Sequence, residues 1–471
     1  MAVPFHVNII EQCHISPPPD SIPPPTSLPL TFFDIPWLLY PSNQTLFFFP
    51  KPPPKSTTTT TVISLLKQSL SLTLHHFHPL AGNLSAPPPP AEPHLVYNKG
   101  DSVSLTIAES NANITHLSGN HPRSITMLYS LLPKLPFLYS KSSSRDTHVL
   151  PLLAVQITVF RDLGFSVGVT AQHAAADERT LDHFIKSWAS LTKSLVKKDS
   201  LFDFKPQPFF DRNIILDPNS HKKTFLKQWW HRRLMNSPKD YSHQEINIVQ
   251  ATFILSSSDM NMIKHHILAK CKTINEDPPL HLSPYVSACS FIWICLLKSE
   301  ETHDSSKGST TTRSPLYLGF NAGGITRLGY EIPSTYFGNC IAFGRCRALG
   351  SQLLGEDGVV FAAKSIGKEI KRLDKDVLEG AERWICEWDE LNIRVLGSPK
   401  VDSYGLDFGW GKADKVEKLS SDHHGRVNHV ISLTGSRDVE GGMEIGVVLS
   451  RAKMKAFTGL FNGGLLELAI T

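Results

Sequence analysis

Apolar residues at 63, 66, 70, 74 and 77 recur at the three-and-four spacing of a helix with one buried face, predicting a first core helix over Val62 to Phe77. From Val155 the period changes to two. Val155, Ile157 and Val159 alternate with polar residues, Asp162-Leu163-Gly164 supplies a turn, and Val167 and Val169 resume the alternation. This reads as a β-hairpin that delivers the chain to His173. Beyond it, Leu181, Phe184, Ile185, Trp188, Leu191 and Leu195 mark one face of a second helix, with Thr180 expected as its N-cap. Met260 to Cys271, Tyr285 to Leu297 and Val359 to Ile385 follow the helical period, the middle one apolar nearly all round and so expected to be buried. Near the end, Val427 to Leu433 and Met443 to Leu449 flank a turn at Asp438-Val439-Glu440-Gly441-Gly442 and form a second hairpin.

Proline clusters at 17–19, 23–25, 52–54 and 87–90 interrupt regular structure in the first hundred residues. Residues 206–245 carry charge, proline and aromatics without a clean period and are expected to be a crossover between an amino-terminal domain, 1–205, and a carboxyl-terminal domain, 246–471. A length of 471 residues suits two cores better than one. No repeat and no glycine-rich phosphate loop is present, since Gly323-Gly324 lacks the flanking pattern, so a nucleotide-binding fold is not expected.

With 41% hydrophobic and 19% charged residues, the chain has the composition of an ordered globular protein. Its net charge of +4 gives no reason to expect nucleic acid. The seven cysteines are odd in number and lack Cys-x-x-Cys spacing, which argues against a disulfide framework and a zinc site and for a reducing compartment. His75, His76 and His78 cluster, but no Asp, Glu or Cys completes a metal set at ligand spacing. The first residues have neither a basic nor an apolar leader region, and no uncharged run approaches the ~20 apolar residues of a membrane span. A cytosolic monomer with no membrane partner is expected.

His173-Ala174-Ala175-Ala176-Asp177 sits at the predicted strand-to-helix junction, where a neutral imidazole can serve as general base. An isolated His-x-x-x-Asp also suits an ordinary helical surface pair. Asp407-Phe408-Gly409-Trp410-Gly411 changes the balance. With these two motifs in order, and with Leu30-Thr31-Phe32-Phe33-Asp34 and His78-Pro79-Leu80-Ala81-Gly82-Asn83-Leu84 before them, the chain resembles the plant BAHD acyltransferases. Tyr336-Phe337-Gly338-Asn339-Cys340 resembles the branch acting on anthocyanins, flavonoids and related phenolic glycosides.

That resemblance implies an α/β (α+β) fold of two similar domains like chloramphenicol acetyltransferase, with mixed sheets, flanking helices and an interdomain channel. It implies transfer of an acyl group, malonyl for preference, from coenzyme A to a sugar hydroxyl of a phenolic glucoside. Acyl-CoA is then a co-substrate, and no metal or permanently bound cofactor is called for. A hydroxycinnamoyl donor, or a non-catalytic relative acting as a binding module, are the alternatives. His173 would be the base, and if its pKa is ordinary the rate should rise through pH ~6–7. Asp177 would pair with an arginine, for which Arg327 is the candidate, because Gly323 and Ile325 replace an acidic residue and an arginine of the family pattern. Asp407, Gly409, Trp410 and Gly411 would form a structural loop beside the coenzyme A channel. Glu178 stands where the family has glycine. If that position needs positive φ, glutamate is strained there, and its carboxylate either repels an anionic acyl group or is neutralised by Arg179. Arg179 is also the candidate cation for a malonyl carboxylate, with an exposed pairing to Glu178 as the alternative.

Overall fold

The computed structural model describes residues 5–19, 23–50, 58–136, 147–198, 206–235, 247–301, 314–419 and 429–470. The architecture is mixed α/β in two domains built on two large sheets. In the first sheet the strand order is Val7–Ile15, Val103–Ser110, Leu153–Phe160, Gly164–Ala171, Asn43–Phe49 and Lys415–Leu419. The second runs Ile341–Leu349, Pro315–Gly323, Ile393–Leu396, His429–Gly435, Met443–Ser450, Ile248–Leu255 and Arg123–Ser124. Each sheet ends in a strand from the other half of the sequence. Lys415–Leu419 pairs antiparallel with Asn43–Phe49, and Arg123–Ser124 with Ile248–Leu255.

The hairpin before His173 forms with Gly164 opposite Phe160 and Ala171 opposite Leu153. Both its faces are buried, because helices cover one side of the sheet and a second apolar cluster the other. The helix Thr59–His76 buries Val62, Leu66, Leu70 and Leu74, and the helix Glu178–Lys197 buries Leu181, Phe184, Ile185 and Trp188. They pack together through Trp188, whose indole N–H donates to Leu66 O (3.2 Å) and Ser69 Oγ (3.0 Å). Burying each such large side chain contributes about 1.5–3 kcal/mol, which fixes the helix that begins just after His173.

Several local expectations change. Asp177 rather than Thr180 caps the helix Glu178–Lys197, its side chain accepting from Thr180 N at 2.9 Å. Ile63 is only half-buried, and Val62 takes its place on the core face. The segment Val359 to Ile385 is not one helix. It breaks into Gly358–Lys375, the 3-10 turn Ala381–Arg383 and Trp384–Trp388, with the chain reversing at Gly380, φ 76. The stretch without clean period contains a helix, His221–Met235, in which Phe225, Leu226 and Trp229 are buried among basic residues that mask the pattern. Val427, the expected start of the last hairpin, lies outside the described residues, and the strand is described from His429. No described helix is long and apolar enough to cross a membrane.

Candidate active site

The catalytic candidate sits where three sequence motifs converge. His173 follows directly on the strand Gly164–Ala171 and is 9% exposed. Its ring stacks on Trp37, with centroids 3.5 Å apart and planes within 6°. Its backbone carbonyl accepts from Asn339 Nδ2 at 2.9 Å. The same amide nitrogen donates to Asp34 Oδ1 (2.9 Å), and the Asn339 backbone N–H donates there too (3.0 Å). Asp34 is fully buried and also accepts from the Thr31 N–H and hydroxyl, both at 2.7 Å, and from Arg212 Nη1 at 3.1 Å. Asn339 thus joins Asp34 of the first motif to His173 of the second. The segment 336–340 is therefore more than core filling around a turn.

Gly338 explains its own residue type. Its φ is +141, and a Cβ there would lie 2.2 Å from Arg212 Nη1, so any side chain would displace the guanidinium that balances Asp34. Arg212 lies over the Tyr336 and Phe337 rings at 5.6 and 5.8 Å and donates to the Tyr336 hydroxyl at 3.3 Å. Cys340 presents its backbone N–H to Asp177 Oδ2 at 3.2 Å.

Asp177 therefore turns away from the ring of His173 toward the second half of the molecule. Its cation is Arg179, Nη2 to Oδ1 at 3.5 Å, not Arg327. Arg327 donates to Asp374 at 3.0 Å and to Gly323 O at 2.9 Å on a largely exposed face. Arg179 also donates to Ser334 O (2.8 Å), Thr180 Oγ1 (3.2 Å) and Gly338 O (3.4 Å). These contacts tie the start of the helix to the segment 334–338 of the second half. Glu178 is the first residue of a regular helix and is not among the residues with positive φ, so it is not strained. Lys418, rather than Arg179, neutralises it.

Burial pushes the His173 imidazole down to about 3, and the charge of Arg394 adds to this against the opposing hydrogen bonds of its own backbone and Asn339. The ring is neutral throughout the physiological range, while the same burial lowers its basicity, so the rate rise expected at pH 6–7 does not belong to this group. Nδ1 is buried without a hydrogen-bond partner, which leaves Nε2 as the nitrogen that can meet a substrate. Sequence reasoning missed Trp37, the ring's stacking partner, and Arg394. Trp37 lies only three residues after the first motif, and that proximity was the available signal.

The loop 407–411 stands apart. Asp407 Oδ1 accepts from the N–H groups of Gly409 (2.8 Å) and Gly411 (3.1 Å), and Oδ2 from Lys193 Nζ (2.7 Å). Burial works against its charge, but Lys193 and the two amides outweigh it and hold the carboxyl below its usual range. Gly409 has φ +102 against the backbone of Lys193. Trp410 packs edge-on to Phe165, and Phe408 edge-on to Trp188. At 1.5 Å per residue, Lys193 lies roughly 24 Å along the helix from Asp177, so the loop braces the far end of the helix and does not touch His173.

The rings of His75 and His76 meet edge-on at 4.9 Å, while His76 also meets Gln207 at 3.0 Å and His78 turns to Thr26 at 2.9 Å. Among the described residues no group of His, Cys, Asp and Glu could hold a metal ion.

The model of the Transferase family matches residues 5–462. The chain belongs to the BAHD acyltransferases. Among curated BAHD relatives, it is 37% identical over 476 residues to coumaroyl-CoA:anthocyanidin 3-O-glucoside-6''-O-coumaroyltransferase 2 of Arabidopsis thaliana, covering 98% of both chains. It is equally 37% identical over 474 residues to malonyl-coenzyme:anthocyanin 5-O-glucoside-6'''-O-malonyltransferase of Salvia splendens, covering 98% of this chain and 96% of that one. The crystal structure of vinorine synthase shares the fold, with a TM-score of 0.68 at 18% identity and 98% coverage of each chain. The chain is thus an acyl-CoA-dependent acyltransferase.

Proposed function

We propose that this BAHD enzyme transfers a malonyl group from malonyl-CoA to a sugar hydroxyl of an anthocyanin, flavonoid or other phenolic glucoside, with His173 as general base. The observation that carries this reading is the placement of His173, neutral, buried and held between Trp37 and Asn339 where the motifs of both halves meet. Nε2 removes the proton from the sugar hydroxyl as its oxygen attacks the thioester carbonyl. The tetrahedral intermediate collapses by breaking the carbon–sulfur bond, and the proton held by His173 passes to the departing thiolate. No covalent enzyme intermediate forms. Because burial disfavours the imidazolium, its proton is passed on readily, and fixing both substrates against the ring supplies much of the rate.

Asp177, Arg179, Asp407, Gly409, Trp410 and Gly411 hold this site without touching the reacting atoms, and the enzyme works as a cytosolic monomer. The ion pair of Glu178 with Lys418 supports activity over the non-catalytic alternative, since the departure from glycine is compensated. A hydroxycinnamoyl donor is the second reading, favoured by the coumaroyl-transferring relative at the same identity as the malonyl-transferring one. Incubating the purified protein with malonyl-, acetyl- and coumaroyl-CoA and a set of flavonoid glucosides tests the proposal. A product mass gain of one malonyl group supports it, and gain only of coumaroyl moves the assignment to the second reading.

A further inference from the structure

We propose that the indole face of Trp37 stabilises the imidazolium that His173 becomes when it takes the proton of the acceptor hydroxyl, which makes Trp37 a positioning residue for the base. The proposal rests on the reading of His173 as general base given above and names the group that meets its charge.

Taking a proton turns a neutral buried ring into a cation, and a cation in a dry interior is strongly disfavoured without a compensating partner. Among the described residues, the groups that set the charge of this ring include no carboxylate. Its own backbone and Asn339 favour the charged form, while burial and the charge of Arg394 oppose it. The carboxylates of the two neighbouring motifs are engaged elsewhere, Asp34 by Thr31, Asn339 and Arg212, and Asp177 by Arg179 and the Cys340 N–H. The aspartate that stabilises the imidazolium in a serine–histidine–aspartate triad therefore has no counterpart on this ring.

Trp37 stands in that place. The two ring planes are 6° from parallel and their centroids only 3.5 Å apart, so the imidazole lies squarely over the indole with almost no lateral offset. Two neutral aromatic rings prefer an offset or edge-to-face arrangement to such a sandwich. A cation prefers the face itself, where the ring quadrupole is negative, and gains most where water is excluded. Trp37 is 3% exposed. The geometry thus suits the protonated ring better than the resting one, and an interaction that strengthens as the proton moves lowers the barrier.

Both rings are fixed through one residue. Asp34 opens the 3-10 turn Ile35–Leu39, its carbonyl accepting from the Trp37 N–H at 3.1 Å, and its side chain accepts from Asn339 Nδ2, which also donates to the His173 carbonyl. Tyr40 and Trp388 meet Trp37 edge-on at 5.8 and 6.0 Å, and Phe343 lies at 5.0 Å, so the indole cannot turn away without displacing three aromatic neighbours.

The test places tryptophan bearing one to four ring fluorines at position 37 alone, which drains negative potential from the face with little change of shape. The single-turnover rate is measured with enzyme in excess, using the donor and glucoside that wild type turns over fastest, so that product release does not mask proton transfer. Melting temperature and calorimetric affinity for the donor are the controls. The rate is expected to fall with each fluorine, to about ten- to thirtyfold below wild type at four, while both controls stay level. Trp37→Phe should lie between wild type and Trp37→Leu, and the residual rate of His173→Ala should not respond to the fluorines.

A flat series at constant melting temperature overturns the proposal and leaves Trp37 as packing. A rate that rises with fluorination, as the indole N–H becomes more acidic, also overturns it and assigns the residue to the oxyanion through its edge. A slope that persists in His173→Ala overturns it too, because the effect then bypasses the imidazolium. His173→Ala turning over like wild type would sink the reading of His173 as base and this proposal with it, whereas a flat series in an enzyme that His173→Ala inactivates sinks this proposal alone.

Discussion

The role of His173 depends on where burial has put its pKa. His173→Ala should keep the fold and lower turnover by about 10²–10⁴-fold, measured as kcat beside an unchanged near-UV spectrum. Because the folded imidazole titrates near 3, the wild-type rate should be flat on the acid side from pH 8 to pH 5. The stability consequence has a definite sign. As pH falls below ~6.5 the unfolded chain takes up a proton at this residue and the folded chain does not, so stability is lost until the folded pKa is reached. His173→Gln should therefore gain about 2 kcal/mol relative to wild type on going from pH 7 to pH 5. Melting curves at the two pH values check this, and parallel shifts would show a ring that titrates normally. The identity of the base was legible from one motif at a strand-to-helix junction. Its pKa was not, because that depends on Trp37, Asn339 and Arg394, which lie 136, 166 and 221 positions away and are brought in by tertiary packing.

At the scale of elements, the helix Glu178–Lys197 carries the site at one end and the 407–411 loop at the other. Asp177 acts on the first end both as N-cap and as the carboxylate for Arg179. Asparagine caps a helix as well as aspartate but has one acceptor oxygen, so Asp177→Asn removes the charge and the acceptor for the Cys340 N–H, while Asp177→Ala removes the cap as well. Both should lose activity, and the alanine variant should be less stable than the asparagine variant by about 1 kcal/mol in urea denaturation. Arg179→Ala should lower kcat for malonyl- and acetyl-CoA alike, as expected of a clamp. At the other end, Lys193→Met leaves Asp407 with its two amide donors but without its cation, and should lower the melting temperature with a smaller loss of activity than Asp177→Ala. The helices and hairpins that frame the site were readable because periodicity is local. The choice of Arg179 over Arg327 was not, since both stand at plausible sequence positions and only the docking of the 334–340 segment on the helix start distinguishes them. The helix His221–Met235 escaped detection for a related reason, its buried aromatics being outnumbered by charged residues that snorkel outward.

For the whole molecule, the decisive feature is that each sheet borrows an edge strand from the other half, and that the borrowed strands meet through buried charge. Arg123 donates to Leu117 O and pairs with Glu417 at 2.7 Å, both side chains almost fully enclosed. Gln250 also donates to Glu417, and Lys415 pairs with Glu444 at 2.8 Å, a carboxylate that accepts from the Tyr404 hydroxyl as well. Two cations and two carboxylates balance, and they link the strands Arg123–Ser124, Ile248–Leu255, Lys415–Leu419 and Met443–Ser450. Removing one member leaves its partner charged in the interior, which costs on the order of 3–5 kcal/mol. Glu417→Ala should therefore lower the melting temperature by several degrees even though it lies far from the chemistry, and Arg123→Met combined with Glu417→Leu should recover most of the loss, because an apolar pair leaves no buried charge. If the shared strands bind the two halves into one cooperative unit, calorimetry should record a single endotherm that moves as a whole in Glu417→Ala. Two separated transitions, only one of them shifted, would mean that the halves unfold independently and that the exchange of edge strands does not couple them.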